Sequence, residues 1–220
     1  YGDLGNPNRP TYEWGWMGNI SIDYSSNPKN WDPYDKFALV RSTIWKHVGQ
    51  NAGVFRCPAD TSTVKAGKLG TKPRVRSMSM NAWVGGNGQH GKNTGHYTWF
   101  GTPNDGTMFL SRSDMTAPGP SQTWVLIDER MDSINDGFYV IWMPGYPNLS
   151  STQWVDMPAI YHNKASGLSF ADGHAEIHKW LDPRTVPEVV HRYNLGAMNG
   201  LQPNNLDVKW MQDKTTRPRR

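Results

Sequence analysis

Residues 167–180 constrain the fold more than any other segment of the chain. Apolar and polar side chains alternate there on both sides of Asp172-Gly173, which is a typical two-residue hairpin turn. We therefore predict an antiparallel hairpin in which Gly167 faces His178. Because side chains alternate across a sheet, this register puts an apolar set on the core face and a polar set on the other. The apolar set is Leu168, Phe170, Ala175 and Ile177, and the polar set is His174, Glu176 and His178.

One helix is predicted ahead of the strands, over residues 33–48. Asp32 can cap it, Pro33 suits its first turn, and Gly49 follows its end. The apolar residues at helical spacing are Phe37, Val40, Ile44 and Val48. Strands are predicted near 75–83, at 124–128 and at 138–142. This order indicates an α+β fold in a single domain, 1–220, with long loops and an irregular aromatic arm at 1–32.

The composition and charge of the chain indicate which classes of binding partner to expect. The chain of 220 residues has 36% hydrophobic residues and a mean hydropathy of -0.70, which is typical of a loop-rich globular domain. Its net charge of +4 favours anionic partners, but Lys and Arg are scattered and no nucleic-acid motif is present, so we expect no nucleic acid. No stretch approaches the ~20 apolar residues that span a membrane. Cys57 stands alone, so no intrachain disulfide can form.

The hairpin also carries a family resemblance. His162 is followed by nine residues and then Asp172-Gly173, which resembles the C-terminal H-x9-DG signature of prepilin-type proteins, the relatives of type II secretion pseudopilins. Four other segments are similar to landmarks of that family and occur in the expected order. They are VFRCPAD at 54–60, RVRSMSMN at 74–81, PSQTWVLIDE at 120–129 and LDVKWMQ at 206–212.

The resemblance implies a fold and a route of export, but no reaction. Such proteins have a long apolar N-terminal helix, absent from this sequence, and a globular domain in which a helix packs on an antiparallel sheet. We therefore expect an extracytoplasmic location, either secreted, periplasmic or at the cell surface. The resemblance also implies pseudopilin-type assembly partners.

The Gly-rich segment 85–107 is the predicted site of chemistry. Together with loop 142–162 it is expected to form a basic, Trp-lined groove for an anionic polysaccharide. The residues there match β-elimination next to a uronic-acid carboxylate, in which a cation neutralises the carboxylate and a base removes the C5 proton. His96 or Tyr97 would be the base, Arg76 the neutraliser and His162 an alternative base. The predicted substrate-binding residues are Trp83, Trp99, Lys92, His90, Arg74, Trp142, Trp14 and Trp16.

Two functions from different classes remain open at this point. The first is a polysaccharide-binding protein that acts as a metal-independent lyase. The second is a non-catalytic, minor pseudopilin-like subunit of a fibre or secretion system. No cofactor or metal is expected, although Asp172 could bind calcium and the set His174, Glu176 and His178 could bind a divalent ion. A turn and a solvated strand face explain those residues more simply.

Overall fold

The computed structural model describes residues 16, 22–35, 39–85, 106–190, 192 and 200–217. In these ranges the α-helix α1 (Leu206–Thr215) accompanies nine short strands. The strands are β1 (Thr63–Lys65), β2 (Thr71–Pro73), β3 (Met78–Asn81), β4 (Trp124–Asp128), β5 (Phe138–Tyr139), β6 (Gln153–Trp154), β7 (Ala165–Phe170), β8 (Ala175–Lys179) and β9 (Gly200–Leu201). The central sheet has the order β5-β3-β4-β7-β8, and the pairs β1-β2 and β6-β9 are separate.

The mixed α+β class is confirmed, with one correction to the sheet. Strands β3, β4, β7 and β8 pair antiparallel, as predicted. Strand β5 pairs with β3 in parallel, with Met80 opposite Phe138. Within the described ranges, no helix combines the length and the apolar character that crossing a bilayer requires.

The predicted helix 33–48 is wrong over its described residues. Two short 3-10 helices, Leu39–Arg41 and Trp45–Val48, stand there instead. Between them the Ser42 hydroxyl donates to the Trp16 carbonyl and accepts the Ile44 backbone N–H. Ser side chains compete in this way with helical hydrogen bonds, and here the competition separates the two turns. Phe37 lies outside the described residues.

The α-helix of the structure lies near the other end of the chain. Asn205 caps α1, since its side chain accepts the backbone N–H groups of Asp207 and Val208. Val208 and Met211 face the sheet and are fully buried. The Thr215 hydroxyl accepts the indole N–H of Trp124 at 2.9 Å, which ties the end of the helix to β4.

The hairpin turns where predicted, but its register differs by one residue. Leu168 faces Glu176 and Ser169 faces Ala175, because the loop has three residues and not two. Phe170 and His174 close it, and Gly173 adopts a φ of 100°. A three-residue loop with a left-handed Gly is the next most common hairpin connection.

This shift moves every side chain of β8 to the face opposite the predicted one. Leu168 and Phe170 are buried as predicted, but Ala175 and Ile177 are exposed. A one-residue slip exchanges the two faces of a strand. His174 therefore shares a face with Phe170 and stacks on it at 4.3 Å.

We call the side of the sheet covered by α1 the first face. It holds the larger core, which contains the tryptophans of β4, β6 and the segment after β8. Trp154 and Trp180 meet edge to face at 6.0 Å, an arrangement favoured by the charge distribution of aromatic rings. The members of this core on the central strands are Trp124, Ile127, Tyr139, Leu168 and Phe170.

The opposite side, the second face, is covered by the N-terminal part of the chain. A smaller core forms there from Trp16, Ile22, Leu39, Phe55, Val75 and Ile134. Half-buried Met78, Met80 and Leu126 of β3 and β4 pack against it. Strands β7 and β8 contribute no residue to this core.

Candidate functional site

Half of the predicted polysaccharide site lies outside the described residues. These are Trp14 of the aromatic arm and all five predicted site residues of the Gly-rich segment, which include both preferred bases: His90, Lys92, His96, Tyr97 and Trp99. The ends of that segment are described. Val84 bridges to Phe109, and the Gly85 N–H donates to the Phe109 carbonyl oxygen at 2.8 Å. The two ends of the segment are therefore held side by side.

Three residues of the predicted site are buried in the structure: the predicted neutraliser Arg76 and the predicted substrate-binding residues Arg74 and Trp83. Arg74, Arg76 and Trp83 are at most 1% exposed. The Arg76 guanidinium donates to the Met78 carbonyl, and burial lowers its pKa to about 10. Arg74 donates to the Met131 carbonyl at 2.8 Å. Side chains fixed in this way stabilise the fold and cannot reach a polymer in this structure.

The remaining described residues of the predicted groove do not converge. Trp16 is buried on the second face, where its indole N–H donates to the Gly137 carbonyl. Half-buried Trp142 lies next to α1, since its carbonyl accepts the Gln212 side chain at 2.6 Å. The structure thus places these two tryptophans on opposite sides of the sheet. His162 lies elsewhere, in the cluster described below.

The second face of β7 and β8 is open to solvent. We call this surface the open strip and define it by Gly167, Ser169, Ala175 and Ile177. Ile177 is 66% exposed. Val54, Met78 and Leu126 flank the strip, so the covering N-terminal part forms one wall of a groove of about 360 Å³.

A second constellation lies next to Gly167 of the open strip, where three side chains converge. We call it the Cys57 cluster, and it consists of Cys57, Asp128 and His162. The Cys57 Sγ lies 3.3 Å from the His162 Nε2, and an Asp128 Oδ2 lies 3.7 Å from the same nitrogen. All three potential ligand atoms are within 4.8 Å of one another.

Local structure explains why these side chains meet. Asp128 ends β4 on the second face, and Gly167 opposite it has no side chain to block the carboxylate. The Ser77 hydroxyl accepts the Cys57 backbone N–H at 2.8 Å and lies 3.4 Å from the Asp128 Oδ1. His162 is set by the tight turn into β7, in which Asn163 and Lys164 both have positive φ.

Burial dominates the electrostatics of the cluster. It raises the pKa of the Cys57 thiol and that of the Asp128 carboxyl, because a low-dielectric site disfavours their charged forms. The Gly167 backbone N–H and His162 partly offset this effect at Asp128. The His162 side chain is 33% exposed, so solvent reaches the cluster from this side.

The set of His174, Glu176 and His178 does not form a metal site in the structure. The His174 Nδ1 lies 2.6 Å from an Asp172 carboxylate oxygen, and His178 stacks on Trp210 with ring centroids 3.6 Å apart. Among the described residues, the group whose ligand atoms converge closely enough to hold a metal ion is the Cys57 cluster.

Sequence reasoning missed two members of this cluster. Cys57 was considered only as a cysteine without a disulfide partner, and Asp128 only as the end of a strand. A signal was present, since each of the three residues stands in a different segment that resembles a landmark of prepilin-type proteins. The segments are VFRCPAD, PSQTWVLIDE and the H-x9-DG motif. The pairing of β4 with β7 brings Asp128 near His162, and the contacts of Ser77 bring Cys57 to Asp128.

Comparisons with known proteins add no assignment. A scan against protein-family models finds no match. Searches of curated proteins and of solved structures also find no significant match.

Proposed function

We propose that the chain is the globular domain of an extracytoplasmic, pseudopilin-like assembly subunit, and that its open strip binds an apolar helix. The observation that carries this proposal is the exposure of Ile177 in a groove whose lining is mainly apolar. Exposed apolar surface beside a formed core is typical of an interaction site.

The shape of the strip favours a helix as its occupant. Two paired strands are ~10 Å across, which is close to the diameter of a helix with its side chains. The centre of the strip carries small residues, Gly167, Ser169 and Ala175, so a helix can approach the backbone closely. Ile177 on one side and Val54 on the other offer apolar contacts at its edges.

The resemblance supports the same occupant from another direction. Proteins of the prepilin type have an apolar N-terminal helix, and in them a helix packs on an antiparallel sheet. The segment that carries the H-x9-DG motif contains β7 and the turn to β8, the two strands of the open strip. In this proposal, the segment with the H-x9-DG motif forms β7 and the turn of the hairpin whose exposed apolar face binds the helix.

A binding experiment with a charge substitution tests this proposal. The probe is a water-soluble helical peptide with one Leu/Ala face and a Lys-rich back, labelled for fluorescence anisotropy. Ile177→Glu should abolish binding, because it places a charge in the apolar groove. The matched control is Leu181→Glu, since Leu181 is 78% exposed but does not line the groove.

Two outcomes would refute the proposal. One is equal binding by both variants and the unmodified chain. The other is a concentration-dependent dimer in analytical ultracentrifugation that Ile177→Glu dissociates while the peptide never binds. In that case the occupant of the strip is a second copy of the chain.

The lyase remains a second proposal, supported by one feature of the described residues. The described ends of the Gly-rich segment are joined by the bridge between Val84 and Phe109. Long loops, as the sequence predicts for this segment, often carry function. Its test is the absorbance of an unsaturated product from a panel of uronic-acid polymers. His96→Ala or Tyr97→Phe should then lower turnover by about 10²–10⁴-fold. Absence of product from every polymer would refute this proposal.

A further inference from the structure

We propose that the Cys57 cluster is a zinc-binding site with three protein ligands: the Cys57 Sγ, an Asp128 carboxylate oxygen and the His162 Nε2. The cluster joins three segments that are far apart in the sequence. Cys57 follows the 3-10 helix Ala52–Phe55, Asp128 ends β4, and His162 precedes β7. This inference does not depend on the role of the open strip.

The distances fit a tetrahedral ion. With bond lengths of about 2.3 Å to sulfur and about 2.0–2.1 Å to nitrogen and oxygen, tetrahedral angles give about 3.6 Å for S···N and about 3.3 Å for N···O. The observed separations are 3.3 Å between Cys57 and His162 and 3.7 Å between His162 and Asp128. Side-chain movements on the order of ~0.4 Å would bring these two pairs to the tetrahedral geometry. The third pair, the Cys57 Sγ and an Asp128 carboxylate oxygen, lies within 4.8 Å.

The arrangement does not fit a nucleophilic triad. In a triad the nucleophile and the orienting carboxylate bind opposite nitrogens of the histidine ring. Here the Cys57 Sγ and the Asp128 Oδ2 both lie next to the Nε2 of His162. Three ligand atoms gathered around one point are what a metal ion requires.

The surroundings of Asp128 also favour an ion. Its carboxylate is buried, yet its contacts to the Ser77 hydroxyl and the Gly167 N–H measure 3.4 and 3.3 Å, which is long for a charged acceptor. A cation would add to the stabilisation that His162, at 3.7 Å, gives this carboxylate. Ser77 contacts Asp128 and the Cys57 backbone, and so provides the outer support that metal ligands commonly have.

The ligand types select zinc among the common biological ions. Calcium and magnesium prefer all-oxygen sites with six or more ligands, whereas thiolate and imidazole favour zinc. Three protein ligands leave a fourth position, which the partly exposed His162 leaves accessible to water. Zinc bound here would cross-link the N-terminal part of the chain to the sheet.

Metal titration of the tag-free chain tests the proposal. Zinc binding is measured by isothermal titration calorimetry, and Co²⁺ is used as a spectroscopic probe for a thiolate ligand. We expect one ion per chain, a thiolate-to-cobalt charge-transfer band, and a Tm higher by about 5–10 °C at free zinc about 100 times the Kd. Calcium at the same concentration should not change the Tm.

Two variants test two of the three proposed ligands, and a third variant is the control. Cys57→Ser and His162→Gln should each weaken zinc binding by more than the roughly 10–100-fold that loss of an outer-shell partner costs. The control is His174→Gln, which removes a histidine paired with Asp172 at 2.6 Å but far from any thiol. Circular dichroism checks that each variant is folded. If Cys57→Ser does not fold, His162→Gln still tests the site, because the His162 side chain is partly exposed.

Each alternative result overturns the proposal. Zinc binding that His174→Gln weakens as much as His162→Gln would show adventitious binding by surface histidines. Cobalt bound without a charge-transfer band would exclude Cys57 as a ligand. The absence of any tight zinc binding to the folded chain would exclude the site itself.

Discussion

The register of the hairpin makes a quantitative prediction for two neighbouring positions. Leu168 is 2% exposed on the first face, whereas Ile177 is 66% exposed on the second. Leu168→Ala should therefore destabilise the fold by ~2–5 kcal/mol, the usual cost of removing a buried leucine. Ile177→Thr should cost at most ~1 kcal/mol. Full burial of an isoleucine side chain contributes ~1.5–3 kcal/mol, and only about a third of the Ile177 surface is buried.

The choice of threonine isolates burial from strand propensity. Threonine is β-branched like isoleucine and is equally common in strands. In the register of a two-residue turn, Ile177 would instead share the core face with Leu168. The substitution would then bury a hydroxyl and cost ~2 kcal/mol or more.

Urea unfolding followed by far-ultraviolet circular dichroism and Trp fluorescence measures both values. The free energies are comparable if the variants share one m-value. A loss above ~2 kcal/mol for Ile177→Thr would contradict the observed register. So would a loss below ~1 kcal/mol for Leu168→Ala, since it would place that side chain outside the core.

Two further predictions concern buried groups. Burial and the nearby acids Glu129 and Asp136 raise the pKa of Asp156 well above its usual value, so stability should fall as pH rises above ~4, by up to ~1.4 kcal/mol per unit. Asp156→Asn removes the ionisable group but keeps an acceptor for the Val140 N–H. Urea unfolding of this variant at several pH values should show a smaller dependence of the unfolding free energy on pH. An unchanged dependence would contradict the prediction. Gly106→Ala should cost ~2 kcal/mol or more, because Gly106 has a φ of 128° and an added Cβ would lie 2.8 Å from the Trp83 indole nitrogen. The control Gly119→Ala meets no atom within 4 Å and should stay near the unmodified Tm, so similar Tm losses in both variants would refute this account.

The sequence predicted those elements that local chemistry determines. Strand β4 has the predicted bounds, and the turn at Asp172-Gly173 is where the sequence places it. Gly173, however, is the last residue of a three-residue loop, and turn composition alone did not distinguish this from a two-residue turn. Because the loop is one residue longer than predicted, Ala175 and Ile177 lie on the second face of the sheet and form part of the open strip.

In other segments, long-range contacts produced a structure different from the one that the sequence pattern predicted. Residues 33–48 have helical periodicity, but the Ser42 hydroxyl bonds to the Trp16 carbonyl and the segment forms two 3-10 turns. Arg74 and Arg76 suggested a cationic surface, yet both side chains are buried against backbone carbonyls. Local spacing carries no information about such long-range partners, and it likewise could not bring Cys57 next to His162.

NMR spectroscopy of the ¹⁵N-labelled chain provides the most direct test of the central claim, that the second face of β7 and β8 binds an apolar helix. Spectra are compared with and without the Leu/Ala-faced peptide. We predict that the largest amide shifts occur at Gly167, Ser169, Ala175 and Ile177, with little change in α1. Shifts centred on α1, or no shifts at saturating peptide, would contradict the claim.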